Sequence, residues 1–470
     1  MTAAAAATSD PRATATAVEV LRDGGNAVDA AVAAALVLYV VEPQSAGVGG
    51  DAFLIVVEPG RPPVALDGAG ALPLALTTEA LAADGLDAVP VRGGRTATVP
   101  GALGLLEEAV TRFSTRSLAE LAQPAITLAD EGFDVRPTLA AAAARAAAEI
   151  GSDPVLGPLY VPGGEPVGTG QRVRNPALAS CMRTFAAAGA SALYDGVLSE
   201  GVVGTVAADG GYLSRDDLAR HRTTEMALIS APFAGHVVWE LDRPTQGLAV
   251  IDAISNIDAT LPIDWAAVLD AVREGMRRSG FDPSAIGARP SPARGDTTYV
   301  AVVDAAGRGA SLITSVFGDF GSHLGVAAIG GPIGNRATML RALRQAPTPG
   351  AKPPHTTIPA AVTDDAGGLR YVLGVAGGFM QPQAQVQLLV RMLGEGMAPQ
   401  EAIDAPRFKV LFGGEVALEP GHPLLAAMPE AGARPAGPEG FGGAQVVGWQ
   451  DGRLEAGADT RRGGVAEVLE

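Results

Sequence analysis

Residues 294–321, RGDTTYVAVVDAAGRGASLITSVFGDFG, contain the pattern that decides the fold of this 470-residue chain. An alternating apolar run, a glycine-containing turn and a second apolar run predict a β-hairpin. Thr297 and Thr298 open the first strand and follow a polar, proline-rich stretch (277–296) that is typical of an exposed linker. The two threonines have two interpretations. They are β-branched residues that favour a strand, or one of them, Thr297, is a nucleophile.

A nucleophilic role for Thr297 requires a base that removes the proton of its hydroxyl. If the chain is cut between Asp296 and Thr297, the new α-amine, which titrates at about pH 8, can be that base. Such a site needs neither histidine nor metal. The five histidines are scattered along the sequence, and the one cysteine, Cys181, allows neither a disulfide framework nor a Cys/His zinc site. We therefore predict no metal and no cofactor.

The charge balance excludes several classes of partner. The chain has 34 Lys+Arg and 51 Asp+Glu, a net charge of −17, which argues against nucleic acid and anionic membranes. Only Lys352 and Lys409 are lysines, so arginine supplies the other positive charges, which suits recognition of a carboxylate. The apolar segment 27–41 contains Asp29 and is too short to span a bilayer, so it predicts a buried helix. The N-terminal residues lack a basic signal-peptide region, which predicts a cytoplasmic protein.

The order of the predicted elements indicates an α+β fold. Helices are expected at about 13–21 and 26–40, and strands at about 52–58 and 64–70. Residues 157–170 are predicted to form a loop. The C-terminal third is rich in predicted strands, and the whole order favours layered α+β packing over regular βαβ alternation.

Several glycines and charged residues lie near predicted turns. Gly377 and Gly378 end a predicted strand and precede a predicted helix, where backbone N–H groups can form an oxyanion site. An ordinary tight turn would use the same residues. Arg336 and His355 also lie near turns, and either could be structural. The GVGGD stretch at 47–51 lacks a lysine and leads into a strand, so it is a weak candidate for phosphate binding.

The chain resembles the γ-glutamyltransferase family of N-terminal-nucleophile hydrolases over nearly its whole length. The blocks that carry the resemblance follow the family's order: GGNAVDAAVAAALVLYVVEPQSAGVGGDAF (24–53), TVPGALGLLEEAVTRF (98–113), PTQG (244–247), TTYVAVVDAAG (297–307), FGS (320–322), VAGG (375–378) and EAIDAPRF (401–408). The resemblance implies a four-layer αββα sandwich and a precursor that cuts its own Asp296–Thr297 bond. The large portion, 1–296, and the small portion, 297–470, would stay associated as one structural unit, which could form a homo-oligomer.

The resemblance also implies roles for residues at matching positions. Thr297 would be the nucleophile, with its α-amine as the base, and Ser315 would orient the nucleophile by a hydrogen bond. Gly377 and Gly378 match the glycines of the oxyanion hole. Thr356–Thr357 occupies the positions of the family's paired serines, which places both threonines among the substrate-binding residues.

Four positions depart from the family pattern where its members bind the γ-glutamyl head group. Tyr299 and Phe317, both predicted to contact substrate, stand at the places of a histidine and an asparagine. Ala69 and Met339 stand at the places of the arginine and the aspartate that hold the α-carboxylate and the α-amino group. Because each lost charge-assisted contact is worth about 1.5–3 kcal/mol, a γ-glutamyl group should bind poorly. Arg336 is the predicted replacement anchor for a substrate carboxylate.

Further motif details (GGDAF, SVFGDFGS, GNRA, PHTTIPA and GGFMQPQAQ) are similar to the oxamate amidohydrolase-like branch of the family. This similarity implies hydrolysis of a small amide through a threonyl acyl-enzyme. The first alternative is a true γ-glutamyltransferase or glutathione hydrolase. The second alternative, from a different class, is an inactive scaffold that binds small molecules or a partner protein.

Overall fold

The computed structural model describes residues 3–286, 297–433 and 440–470. Its strands, in chain order, are β1 (Ala4–Thr8), β2 (Asp51–Val57), β3 (Val64–Gly68), β4 (Phe133–Asp134), β5 (Arg172–Val173), β6 (Thr224–Met226), β7 (Leu228–Phe233), β8 (His236–Leu241), β9 (Thr298–Val303), β10 (Gly309–Ser315), β11 (Gly325–Val326), β12 (Gly331–Pro332), β13 (Pro359–Thr363), β14 (Leu369–Ala376), β15 (Phe408–Val410), β16 (Val416–Leu418), β17 (Gly443–Gln450), β18 (Arg453–Ala458) and β19 (Val465–Leu469).

The α-helices, in chain order, are α1 (Pro11–Arg22), α2 (Ala27–Val41), α3 (Thr78–Ala83), α4 (Ala102–Phe113), α5 (Leu118–Glu131), α6 (Pro137–Ile150), α7 (Leu156–Tyr160), α8 (Pro176–Ala188), α9 (Ser191–Tyr194), α10 (Ser199–Ala208), α11 (Arg215–Arg220), α12 (Gly247–Ile254), α13 (Trp265–Ser279), α14 (Thr338–Ala342), α15 (Met380–Leu389) and α16 (Pro399–Asp404).

Two antiparallel sheets form the centre of the molecule. One has the strand order β19-β1-β9-β10-β2-β3-β6, and the other has the order β18-β17-β14-β13-β8-β7. A buried apolar layer lies between the sheets. Helices including α2, α4 and α5 cover the outer face of the first sheet, and α12, α13 and α15 cover the outer face of the second. This is a four-layer αββα sandwich, so the predicted fold class is confirmed.

The first sheet contains strands that precede Thr297 in the chain and strands that follow it. Strand β9 lies between β1 and β10, and β10 pairs with β2 along its whole length. The segments before and after Thr297 therefore share hydrogen bonds through the pairs β19–β1, β1–β9 and β10–β2.

Helix α2 shows how the sequence specifies the centre of the fold. The Asn26 side chain accepts hydrogen bonds from the N–H groups of Val28 and Asp29, while the Asp29 carboxylate accepts one from the N–H of Asn26. This capping box fixes the start of the helix. Every residue from Ala27 to Val41 is buried, because α2 packs on β9 and β10 and beneath other helices. The predicted buried helix is confirmed.

Some predicted boundaries differ from the structure. The pattern does not predict β1, because alanine has a low strand propensity, but β1 is enclosed by β9 and β19. The predicted loop 157–170 contains most of α7. The predicted linker 277–296 is helical as far as Ser279, and its residues 287–296 lie outside the described part of the chain. Within the described ranges, no helix combines the length and the apolar character needed to cross a membrane.

Candidate active site

Thr297 immediately precedes β9 and lies beside the end of β10. Thr298 pairs with Thr314 across the two strands, so the next position on each strand brings Thr297 next to Ser315. Thr297 is 3% exposed, and its hydroxyl donates a hydrogen bond to Ser315 Oγ at 3.3 Å. Ser315 Oγ also accepts a hydrogen bond from the N–H of Phe317 at 3.0 Å. The structure thus brings together the predicted nucleophile and the residue predicted to orient it.

The alternation of β9 determines where the two threonines point. Tyr299 belongs to the apolar layer between the sheets, whereas Val300 belongs to the layer beneath the helices. Since side chains alternate with a period of two, Thr297 faces the space between the sheets and Thr298 faces the helices. Only the first threonine is therefore directed toward the second sheet.

A buried arginine lies next to this pair. Ser315 is opposite Asp51 on β2, and the Asp51 carboxylate contacts Nε of Arg336 at 3.3 Å. Arg336 is 1% exposed, and its Nη1 donates a hydrogen bond to Oγ1 of Thr356 at 3.4 Å. Its guanidinium carbon lies 4.3 Å above the ring of Phe317. The sequence predicts Arg336, Thr356 and Phe317 to be substrate-binding residues, and in the structure the guanidinium group of Arg336 contacts both of the others.

Arg336 has unused hydrogen-bonding capacity. Its Nη2 atom is buried and has no protein partner among the described residues. A buried donor without a partner is costly, by about 1–3 kcal/mol, so such an atom often marks a ligand position. Burial lowers the pKa of Arg336, and the neighbouring Asp51 opposes this shift. Burial also raises the pKa of Asp51, while Arg336 lowers it. The two groups thus stabilise each other's charged form.

His355 and Thr357 flank Thr356 in the sequence and are also buried. Within the described part of the chain, neither ring nitrogen of His355 nor the hydroxyl of Thr357 has a hydrogen-bond partner. Burial, with Arg336 and Lys352 nearby, lowers the pKa of His355 well below its ordinary value, so the imidazole is neutral at pH 7. Its ring makes an edge contact with Phe53 at 5.1 Å between centroids. His355 therefore adds no positive charge beside Arg336.

Gly377 and Gly378 form the turn between β14 and α15. Their φ angles are 135° and 55°, which favour glycine, and a Cβ at Gly377 would lie 3.2 Å from Cα of Gly442. The turn stands at the N-terminal end of α15, where backbone N–H groups and the helix dipole favour negative charge. The oxyanion role of the two glycines stays a prediction.

Gln246 was not predicted to have a role, although it lies in the PTQG block. It is fully buried, and its Nε2 donates hydrogen bonds to the carbonyl oxygens of Thr356 (2.5 Å) and Gly378 (2.9 Å). The side chain therefore fixes the threonine pair relative to the glycine turn. The signal that the sequence offered is a glutamine within the PTQG block, which follows the predicted strand GHVVWEL.

Two predicted residues stand apart from this group in different ways. The ring of Tyr299 lies in the layer between the sheets, and its hydroxyl is hydrogen-bonded to Ser311 Oγ at 2.6 Å. Tyr299 is thus not among the residues that the structure gathers at Thr297. Asp296, the other side of the predicted cut, lies outside the described residues.

The positions that depart from the family pattern are apolar in the structure as well. Ala69 and Met339 are fully buried and carry no charge to a substrate. Near Ala69, Lys352 forms an ion pair with Asp67 at 2.9 Å, so this lysine is already neutralised. Among the residues that the structure describes, no group of three or more His, Cys, Asp or Glu side chains is arranged to hold a metal ion.

Comparison with known proteins agrees with the fold. The family model described as gamma-glutamyltranspeptidase matches residues 13–268 and 266–469. The chain is 32% identical to the oxamate amidohydrolase proenzyme of Klebsiella pneumoniae, over 83% of this chain and 82% of that protein. It is 29% identical to the acylase ACY 1 proenzyme of a Pseudomonas species, over 89% and 84% of the two chains.

A solved structure of cephalosporin acylase from Bacillus halodurans superposes with a TM-score of 0.87, at 30% identity, and covers 99% of this chain and 96% of that chain. The match extends over both sheets and both helical layers, and the predicted resemblance is confirmed. The chain belongs to the gamma-glutamyltranspeptidase family.

Proposed function

We propose that this protein is a self-processing amidohydrolase that cuts its Asp296–Thr297 bond and then hydrolyses a small amide carrying a carboxylate. The observation that supports this most directly is the placement of Thr297. Its hydroxyl lies beside Ser315, which is opposite Asp51, the ion-pair partner of Arg336. Thr297 also lines a crevice together with Ala376, the residue before the Gly377–Gly378 turn. The oxamate amidohydrolase, acylase and glutathione hydrolase relatives are named as proenzymes, which supports processing of this chain.

The chemistry proceeds in two steps. Thr297 Oγ1 attacks the amide carbonyl carbon while the α-amine of the same residue takes the hydroxyl proton. The N–H groups of Gly377 and Gly378 hold the resulting oxyanion. The α-ammonium then returns the proton to the departing nitrogen, which leaves an ester on Thr297. A water molecule, activated by the same amine, hydrolyses this ester and releases the acid.

The substrate class follows from the charges at the site. Arg336 offers an unpartnered N–H group to an anion, and its planar guanidinium suits a carboxylate. The carboxylates of Asp51 and Asp67 are already paired, with Arg336 and Lys352 respectively, so neither is free to hold a substrate ammonium beside the guanidinium. The site therefore favours an acyl group that carries a carboxylate and no α-amino group.

The first expected result concerns the covalent state of the purified protein. Denaturing electrophoresis should show two fragments, and Edman sequencing of the smaller one should begin at Thr297. From the 470 residues, the fragments should contain 296 and 470 − 296 = 174 residues. A single intact chain without amidase activity would instead support the inactive-scaffold alternative.

The second expected result separates the two enzymatic alternatives. The value of kcat/KM for oxamate should exceed that for γ-glutamyl-p-nitroanilide by about tenfold or more, because each missing charge-assisted contact costs about 1.5–3 kcal/mol. Oxamide, which has an amide in place of the carboxylate of oxamate, is the matched neutral control and should be hydrolysed poorly. Efficient turnover of the γ-glutamyl compound with none of oxamate would favour a glutathione hydrolase.

A further inference from the structure

A narrow crevice lies beside Thr297 and leads to a buried carboxylate. Its walls include Glu42, Ser9 and Arg462, together with residues of β14 and β17. Glu42 is the C-terminal cap of α2 and is 5% exposed. None of these three residues takes part in the mechanism described above, although they line the same space as the nucleophile.

Glu42 is connected to the residue that follows the nucleophile. Ser9 Oγ donates a hydrogen bond to Oε2 of Glu42 at 2.8 Å and lies 2.5 Å from Oγ1 of Thr298. Thr298 is covalently bound to Thr297, and its side chain points away from the substrate side of the strand. The carboxylate is therefore linked through Ser9 to the side chain of Thr298, the first residue of β9.

The position of Glu42 is electrostatically unfavourable in the intact chain. A helix C-terminus carries a partial negative charge, so it repels a carboxylate. Burial and the nearby Asp10 both raise the pKa of Glu42, and Arg462 lowers it. Asp10 itself is paired with Arg12 at 2.7 Å and lies 3.7 Å from Arg136. Arg462 does not fully offset the burial, because the pKa of Glu42 stays raised, so a second cation nearby would stabilise the charged form further.

Cutting the bond before Thr297 would supply a new cation in this crevice. We propose that Glu42 is a positioning residue that holds the new α-amine of Thr297 and raises its proton affinity, with Arg462 as the opposing charge. This inference rests on the proposed function, since the amine exists only after cleavage. During each step of the cycle the group alternates between amine and ammonium, so the charges beside it determine the pH at which it can act as a base.

The two charges shift the pKa of the Thr297 α-amine in opposite directions. A carboxylate stabilises the ammonium form, so Glu42→Gln should lower the pKa of the amine by about one pH unit. The acidic limb of the profile of kcat/KM against pH, measured with oxamate, should then move to lower pH by that amount. Removing the positive charge in Arg462→Gln should move the same limb to higher pH. A purely structural role for either residue would not shift the limb in opposite directions.

A matched control is available at Glu58, which follows the end of β2 that is remote from Thr297. Glu58 is paired with Arg308 at 2.6 Å, and Glu58→Gln removes the same charge far from the crevice. Its acidic limb should coincide with that of the native enzyme. If Glu42→Gln is not cut or does not fold, Arg462→Gln tests the proposal by itself. A shift of its acidic limb to higher pH supports the proposal, and no shift or a shift to lower pH contradicts it.

The outcomes separate this inference from the proposed function. If the small fragment begins at Thr297 but neither variant shifts the limb, the role of Glu42 is wrong and the nucleophile stands. A shift of both variants in the same direction would also overturn it. If the small fragment begins at another residue, the proposed function fails, and this inference fails with it.

Discussion

Thr297→Ala is expected to give a single uncut chain with no detectable amidase activity. The substitution removes the hydroxyl that would attack the Asp296 carbonyl carbon during processing, and the same hydroxyl that would attack the substrate. Loss of a catalytic nucleophile typically lowers kcat by roughly 10⁴-fold or more. The fold should survive, because the only described partner of the side chain is Ser315 and that contact is 3.3 Å long. Electrophoresis and an ammonia-release assay with oxamate measure both effects.

Thr297→Ser is the matched control for this variant, since it keeps a hydroxyl at the same position. It should be cut and should retain part of the activity. Circular dichroism should give the same spectrum for the native protein and for both variants. Undiminished turnover by Thr297→Ala, or a cut at an unchanged position in that variant, would exclude Thr297 as the nucleophile.

The parts of the structure that were predictable are those with local signals. The hairpin of β9 and β10 follows from alternation and a turn, and α2 follows from the Asn26 cap and a continuous apolar run. The hairpin lies at the centre of the first sheet and α2 packs on it, so these two elements indicate the layered packing. Strand β1 was missed because its stability comes from its neighbours and not from its alanine residues.

The contacts within the site could not be predicted from local pattern. Asp51 and Arg336 are 285 positions apart, and Gln246 is 132 positions from Gly378. Such pairs are determined by how the two sheets stack, which no window of sequence describes. The family resemblance assigned roles to Thr297 and the two glycines. It assigned no partner to Arg336, because Ala69 and Met339 stand where the family has its substrate-binding arginine and aspartate.

Tyr299 is a residue whose predicted role in substrate binding the structure does not place at the site. Its position next to the threonines suggested a contact with substrate, by analogy with the histidine that other family members have there. In the structure its ring fills the space between the sheets, and it packs against Gly374, where an added Cβ would lie 2.4 Å from the ring. A large aromatic side chain and a glycine on the facing strand thus complement each other in volume, which is a packing relation between distant residues.

Arg336→Gln should reduce kcat/KM for oxamate by roughly 10- to 150-fold, the equivalent of about 1.5–3 kcal/mol for a lost charge-assisted contact. Turnover of oxamide should change little, because this neutral substrate has no carboxylate for the guanidinium to hold. The ratio of kcat/KM for the two substrates, measured on one preparation, therefore measures the contribution of Arg336 to carboxylate recognition. Any loss of active enzyme affects both substrates equally and cancels in this ratio. An equal loss on both substrates would place Arg336 outside substrate recognition.

The same substitution should also destabilise the protein, because it leaves Asp51 as a buried carboxylate without its cation, at a typical cost of about 3–5 kcal/mol. Arg407→Gln is the matched control, since Arg407 is equally buried and is paired with Asp459 at 2.8 Å. It should lower the melting temperature and leave the ratio of oxamate to oxamide turnover unchanged.

Without Arg336, the pKa of Asp51 should rise further above its value in the unfolded chain. The native state of Arg336→Gln would then bind more protons than the unfolded state, so its stability should decrease as the pH rises above the ordinary pKa of an aspartate. Adding Asp51→Asn should remove this pH dependence without restoring the preference for oxamate, because the amide abolishes the buried charge but supplies no cation for the substrate.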